Sequence, residues 1–410
     1  MVRRRPSPRR FAISRARRKT TVADRAPQRS NAFSRRRLLG GGAVALGAAG
    51  AAAYGISRET GEVAFGGEVV QFHGKHQAEI ATPPQAHGTF VAFDLHDSAG
   101  RDDVIAILRM WTADASRLTQ GLPALADTEP ELAESPSRLT VTVGLGPGAF
   151  TAAGVASPVT PLPAFGIDRL EPRWSDGDLL LQVCADDPVP VAHAVRVLTK
   201  NVRSMASTRW VQRGFRSARG SQASGTTMRN LMGQVDGTEN PSSTTDFDAL
   251  VWNETGGTSL VVRRIAVELD TWDELDRGGR EFAVGRRLDT GAPLTGEFEH
   301  DTADFAATDK FGVPVISPAS HIARARHRHD GERFFRRAYN YDDPPTSGSS
   351  SNSGLIFAAY QRDVVGQFLP VQRRLDEHDA LNEWTTPVGS AVFAVPAGVD
   401  DGGYLGEGML

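Results

Sequence analysis

An α+β fold of two similarly planned units is what the sequence predicts, on three observations. Strand-like and helix-like stretches follow one another in the same order twice along the chain, the pattern of sheets carrying helices. The 410 residues, 40% of them hydrophobic, allow two or three domains and a sizeable buried core. No repeat of roughly 20–50 residues of the solenoid kind is present.

The first unit is expected over 60–225. Thr89–Leu95 runs apolar like a strand, and Val104–Leu118 has helical spacing. Leu139–Leu145 and Asp178–Cys184 are two further strands. Pro190–Met205 reads as a helix with Val191, Ala194, Val195, Val197, Leu198 and Val202 on one broad face. The second unit, 226–410, repeats the order. A strand at Ser259–Leu269 precedes a helix-like Thr271–Gly278, and a strand at Gly354–Tyr360 precedes a helix at Val364–Leu375. Ser390–Val395 is the last strand. Ser217–Thr227 and Pro344–Gly354, rich in Ser, Gly, Pro, Arg and Asn, read as exposed loops.

Charge is unevenly placed. The net charge is −3, yet residues 1–54 hold 13 Arg and Lys19 against Asp24 alone, a balance of +13 that leaves −16 on the rest. An acidic body without a basic stripe excludes a nucleic-acid binder. A single cysteine, Cys184, excludes internal disulfides, a thiolate iron–sulfur cluster and a cysteine-based zinc site. It lies mid-strand and reads as a small buried apolar residue. Ten histidines remain as potential ligands.

Residues 1–54 are an address rather than a fold. Ser34-Arg35-Arg36-Arg37-Leu38-Leu39 leads into a Gly/Ala-rich run ending at Ala51-Ala52-Ala53. The run is too short and too weakly apolar for a spanning helix of roughly 20 residues, so no stable membrane anchor is expected. Charged lead, apolar middle and Ala-rich end describe a secretory signal. The adjacent arginines resemble the twin-arginine (Tat) signal, which implies export of a folded protein by the Tat machinery to a secreted, extracellular or periplasmic location.

The segment joining the halves is Asn230-Leu231-Met232-Gly233-Gln234-Val235-Asp236-Gly237-Thr238-Glu239-Asn240-Pro241. Gly-x-x-Asp-Gly-Thr is a tight loop presenting one carboxylate, its glycines permitting close approach to something flat or anionic. By itself it is a common turn. Its weight comes from Ser320-His321-Ile322-Ala323-Arg324 and from Arg333-Phe334-Phe335-Arg336-Arg337-Ala338-Tyr339-Asn340-Tyr341 further on.

Together these segments resemble the dye-decolorising peroxidase family, in its exported branch that includes deferrochelatase-like proteins. Gly233, Asp236 and Gly237 match the family's Gly-x-x-Asp-Gly element, His321 its iron-binding histidine segment, and Arg336 to Tyr341 its Arg-Arg-x-Tyr-x-Tyr segment. The likeness continues through His76-Gln77-Ala78, Trp272-Asp273, Gly285-Arg286-Arg287, Thr290–Leu294 and Tyr404-Leu405-Gly406, and runs from about residue 65 to the end. There are departures. Glu79 stands where Gly often follows His-Gln-Ala, Ala323 where Arg is common, and Arg326-His327-Arg328 where Asn-Pro-Arg is usual, leaving Arg328 as the match to a propionate-side arginine.

The resemblance implies two ferredoxin-like domains with antiparallel sheets, and one non-covalent haem b held mainly by the second half. It implies a peroxidase that uses hydrogen peroxide to oxidise bulky organic or polymeric reductants such as dyes. Haem iron handling peroxide needs a neutral, strongly donating imidazole. His321 is the candidate for that ligand, and the resemblance implies Asp379 as the partner that holds its other ring nitrogen. The same resemblance implies Asp236 as the general acid–base on the opposite haem face and Arg336 as the residue that stabilises developing negative charge. Arg337 is its alternative, because adjacent strand residues face opposite ways. Gly237, Thr238, Glu239, Arg326, His327, Arg328 and Arg336 are the expected cofactor contacts.

Two other functions share the fold and the ligand: release of iron from haem with the ring left intact, and non-enzymatic haem carriage. The histidines His73, His76, His87, His96, His193, His300, His327, His329 and His378 compete with His321 on composition alone. A metal site of His321, His327 and His329 is disfavoured by the arginines between them. Electrons from bulky reductants need a surface aromatic, for which Tyr339, Tyr341, Tyr360, Tyr404, Trp252 and Trp384 are candidates.

Overall fold

The structure, a computed structural model, describes residues 65–345 and 348–410. The export segment expected at 1–54 lies outside the described residues. In the first half the order is β1 (His87–Leu95), α1 (Arg101–Leu118), β2 (Thr140–Leu145), a short α2 (Pro147–Ala153), β3 (Leu179–Ala185), α3 (Pro188–Val202) and β4 (Ala206–Phe215). The strands pair antiparallel as β4-β1-β3-β2, so the first and third are central. That is the ferredoxin-like order.

Local chemistry explains the two long helices. At the start of α1, the Asp103 carboxylate accepts the Gly100 N–H (2.9 Å), and Asp102 adds a second acid to the positive end of the helix dipole. At α3, Asp187 accepts the Val189 N–H (2.7 Å), and Pro188 and Pro190 fall in the first turn, where no N–H is needed. Val104, Ile107, Leu108, Trp111, Ala115 and Leu118 of α1 and Val191, Ala194, Val197, Leu198 and Val202 of α3 share one core with the outer face of the first sheet.

One strand of this half was not expected. The helix read as Pro190–Met205 ends at Val202, and β4 begins four residues later. Its buried residues are Ala206, Trp210, Gln212 and Gly214, and those between them, apart from half-buried Val211, are polar, the mark of a strand largely open to solvent on one face.

The second half contains α4 (Thr244–Leu250), β5 (Thr258–Val267), α5 (Leu269–Trp272), α6 (Arg277–Val284), α7 (His321–Ala325), β6 (Phe335–Arg336), β7 (Tyr339–Asp342), β8 (Ser353–Gln361), α8 (Leu369–His378) and β9 (Thr385–Val395). Its strands pair antiparallel as β9-β5-β8-β7, the same plan, with β6 also on β8. The helix expected at Thr271–Gly278 is split into α5 and α6, because Asp276 caps a new helix by accepting the Gly279 N–H (2.7 Å). The helix expected at Val364–Leu375 opens with a π-helical turn, Val364–Phe368, before α8. The two Ser/Gly-rich loops are largely exposed among the described residues.

The two sheets join at both edges. β2 meets β9 through Leu145↔Ala394, and β4 meets β7 through Phe215↔Asn340, so the strand order closes on itself. The inner faces share a core to which Phe90, Leu180 and Trp210 contribute from the first half and Leu260, Tyr339, Tyr360 and Phe393 from the second. Helices α1 and α3 cover the outside of the first sheet. Among the described residues no helix is long and apolar enough to cross a membrane.

Candidate active site

A cavity of about 1010 Å³ opens beside the second sheet, and among the described residues of the first half only Ile167 lines it. Alternation along β5 puts Arg263, Ile265 and Val267 in its wall, while Leu260 and Val262 enter the shared core. Leu355 and Phe357 of β8 and Val371 and Leu375 of α8 complete an apolar lining. His321, Asp236, Gly237, Thr238, Glu239, Arg326, His327, Arg328, Arg336 and Asp379, all anticipated from the sequence, line this one cavity.

His321 is the first residue of α7, and Asp379 caps the end of α8. The His321 Nδ1–H donates to Asp379 Oδ2 (2.6 Å), while Asp379 Oδ1 accepts the Leu381 N–H (3.0 Å). This pairing fixes the ring and leaves Nε2 as the nitrogen available to the cavity. Burial alone would lower the imidazole pKa, but the Asp379 charge and hydrogen bond outweigh it and raise it.

The Asp236 loop is built locally. Asn230 Oδ1 accepts the N–H groups of Met232 and Gln234 (3.1 Å each), and Gly233 lies at φ +83°, where glycine is favoured. Arg336 Nη1 approaches Asp236 Oδ1 at 3.4 Å, with both side chains mostly buried. Arg337 points the other way. It is fully buried, pairs through Nε with Glu79 Oε1 (3.3 Å), and donates to Thr82 and Gln85. Of the two arginines, Arg336 therefore faces the cavity. Glu79 sits at φ +85°, which explains why glycine suits that position; here its carboxylate also binds Gln182 Nε2 (2.5 Å).

Arg374 and Glu299, which brace the site, carried no clear signal in the sequence, and Arg286 was noted there only within the Gly285-Arg286-Arg287 likeness. Arg374 of α8 binds Glu332 (2.9 Å) and donates to the carbonyls of Arg324 (3.3 Å) and Arg326 (2.9 Å), bracing the segment that bears Arg326, His327 and Arg328. Glu299 accepts from both Thr227 (2.6 Å) and Thr238 (2.9 Å), tying the Asp236 loop to the 296–301 stretch. Arg286, buried in the wall, donates to the Gly291 and Glu299 carbonyls (2.7 and 2.8 Å). A buried residue braced by distant carbonyls has no spacing to read.

The donor set fits haem. A cavity with apolar walls offers one imidazole whose second nitrogen is already committed. Arg326 and Arg328 stand exposed at its rim for anionic groups, and the buried amide nitrogen of Gln234 in its wall has no hydrogen-bond partner among the described residues. Cys184 is buried as expected, but it accepts the Tyr339 hydroxyl (3.3 Å) and so lies in a polar cluster. Of the six surface-aromatic candidates, Tyr339, Tyr341, Tyr360 and Trp252 are buried, and Tyr404 and Trp384 are half-buried.

Comparison with known proteins bears on this geometry. Residues 77–216 match the family model described as Dyp-type peroxidase, N-terminal, and residues 227–400 the one described as Dyp-type peroxidase, C-terminal. The chain is 39% identical over 361 residues to the dye-decolorizing peroxidase of Thermobifida fusca, covering 82% of this chain and 83% of that protein. It is 34% identical over 416 residues to the deferrochelatase of Shigella sonnei, covering 93% and 97%. The crystal structure of a DyP-type peroxidase from Cellulomonas bogoriensis superposes with a TM-score of 0.81 at 58% identity, over 83% of this chain and 98% of that one. Ferric DtpA from Streptomyces lividans superposes with a TM-score of 0.81 at 38% identity, over 86% and 99%.

Proposed function

The chain belongs to the Dyp-type peroxidase family, and from that premise we propose what its cavity residues do and where the protein works. The protein is a haem-dependent peroxidase, with hydrogen peroxide as oxidant. Haem, when bound, supplies the iron at which peroxide is reduced and the store of oxidising equivalents drawn on by the reductant. His321 would hold it through Nε2, with Asp379 keeping the ring oriented and basic. Arg326, His327 and Arg328 would hold the cofactor's carboxylates through charge-assisted hydrogen bonds, and Gly237, Thr238 and Glu239, which line the same cavity, would contact it.

Asp236 takes the proton from one peroxide oxygen and returns it to the other, which makes that oxygen a better leaving group. Arg336 stabilises the negative charge that gathers on the departing oxygen. The observation that carries this reading is the 3.4 Å pairing of Asp236 with Arg336 on the cavity that His321 also lines. The reductants we propose are bulky organic molecules such as dyes, in keeping with the Thermobifida fusca relative's name. Peroxide-dependent dye oxidation should collapse in Asp236→Ala and Arg336→Ala, while the haem spectrum persists. Native activity in both variants would overturn the assignment.

A second reading is favoured by the deferrochelatase relatives: removal of iron from haem with the porphyrin left intact. Incubation with haem under reducing conditions distinguishes the two, since iron-free porphyrin fluorescence appears only in the second. We further propose Tat-dependent export, on the strength of Arg35-Arg36-Arg37 and the short apolar run behind them. Replacing all three with Lys should hold the precursor in the cytoplasm; normal secretion of that variant would contradict export by this route.

A further inference from the structure

Arg336 lies on β6, a strand of two residues whose register on β8 is Arg336↔Ala359. The main-chain groups of Arg336 are taken by a side chain instead of a strand. Its N–H donates to Asn240 Oδ1 (3.1 Å), and Asn240 Nδ2 donates to its carbonyl (2.7 Å). One carboxamide thus offers a donor and an acceptor side by side, as a neighbouring strand would. Asn240 reaches β6 because the chain reverses immediately after Asp236. Gly237 at φ +131° permits that reversal, and the Asn240 N–H closes it on the Gly237 carbonyl (3.0 Å). The start of this turn is anchored too, by the Asp236 N–H on the Met228 carbonyl (2.8 Å).

From this geometry we infer that Asn240 is a positioning residue for the peroxide reaction: it clamps the loop bearing Asp236 onto the strand bearing Arg336 and so sets the separation of the two groups. The inference rests on the roles proposed above for those groups. The Asn240 side chain bonds to neither reacting group; its two hydrogen bonds are to the main chain of Arg336. Proton transfer and charge stabilisation must act on the two oxygens of one small molecule. A clamp four residues from one group and on the backbone of the other controls both at once.

The test uses the purified haem-loaded protein, with Asn240→Ala and the isosteric Asn240→Asp. Removing the clamp should speed hydrogen exchange of the Arg336 amide and slow the peroxide reaction by up to about 100-fold, the effect of a displacement of roughly 1 Å, with KM for the dye unchanged. Asn240→Asp keeps the shape and the acceptor but cannot donate to the Arg336 carbonyl when ionised. It should fold, keep the Arg336 amide protected and still be slowed. In an Arg336→Leu background the further change Asn240→Ala should cost less than about threefold, because the two act as a unit. The inference is overturned by a native rate in either Asn240 variant, by unchanged Arg336 exchange in Asn240→Ala, or by full additivity with Arg336→Leu. If Arg336→Leu and Asp236→Ala themselves keep the native rate, the proposed roles fail and the positioning role falls with them; faster Arg336 exchange in Asn240→Ala would mark that case apart.

Discussion

Asp236 and Arg336 lie within 3.4 Å of each other but do different chemistry, and pH separates them. General acid–base groups typically supply about 10²–10⁴-fold in rate, and one charge-stabilising donor about 10²–10³-fold, so magnitude alone does not distinguish them. Asp236→Asn keeps the shape but removes a titrating group. Its residual rate with peroxide, followed by stopped flow, should trace a different pH profile from the native enzyme. Arg336→Leu should be slower with the native profile recognisable. An Asn variant with native rate and profile would leave Asp236 as a loop-shaping residue only. For Asp379→Ala, haem affinity should fall by about 10–100-fold, measured as faster haem transfer to an acceptor globin; unchanged transfer would deny the Asp379–His321 bond any role in holding iron. At this scale the candidate site was legible where chemistry demands one residue type in a recognisable neighbourhood, as with His321 and Asp236. Asn240 was not, because an Asn after Gly-Thr-Glu reads as an ordinary turn residue. Nor could spacing choose between Arg336 and Arg337; the strand gives one to the cavity and the other to Glu79.

Helix α8 serves the cavity at two points. Arg374 in its middle braces the Arg324–Arg328 segment, and Asp379 at its end holds His321. Burial alone would raise the Glu332 carboxyl pKa, but hydrogen bonds from Arg374 and the Arg328 amide outweigh it and hold the group below its ordinary value of 4.5. A depressed carboxyl contributes stability that is present above the ordinary value and is lost as pH falls through the lower folded one. Arg374→Met, which leaves Glu332 buried without its partner, should cost about 3–5 kcal/mol at neutral pH in urea unfolding. That cost should shrink below pH 4.5, where Glu332 takes up its proton. A cost equal at both pH values would show that Arg374 acts through packing alone. Elements with strong apolar patterns, such as α1, β3 and β5, were readable from sequence. β4 was not, because its buried residues are spaced by polar ones and follow directly on a helix. The expected Thr271–Gly278 helix broke where Asp276 prefers to cap rather than continue.

For the whole molecule, the repeated plan of two sheets was legible, but the closure between them was not. Leu145↔Ala394 and Phe215↔Asn340 are single pairings between residues 249 and 125 positions apart, and no local pattern announces them. Their effect is that neither half has a finished surface alone. Residues 60–225 expressed separately would expose Phe90, Leu180 and Trp210, which the full protein buries, and two strand edges. They should aggregate, and co-expression with 226–410 should restore solubility in a sedimentation assay; a soluble, monomeric first half would refute shared-core dependence. Synthesis on the ribosome meets the same constraint in time. The first sheet is complete once Phe215 emerges, yet the free side of β4 waits for Asn340 and the free side of β2 for Ala394, in the last strand of the fold. From the emergence of Phe215 to that of Asn340 the nascent chain therefore carries two unpaired strand edges, and from there to Ala394 it carries one; such edges are what chaperones shield, and a message truncated before the last strand yields a protein that cannot close.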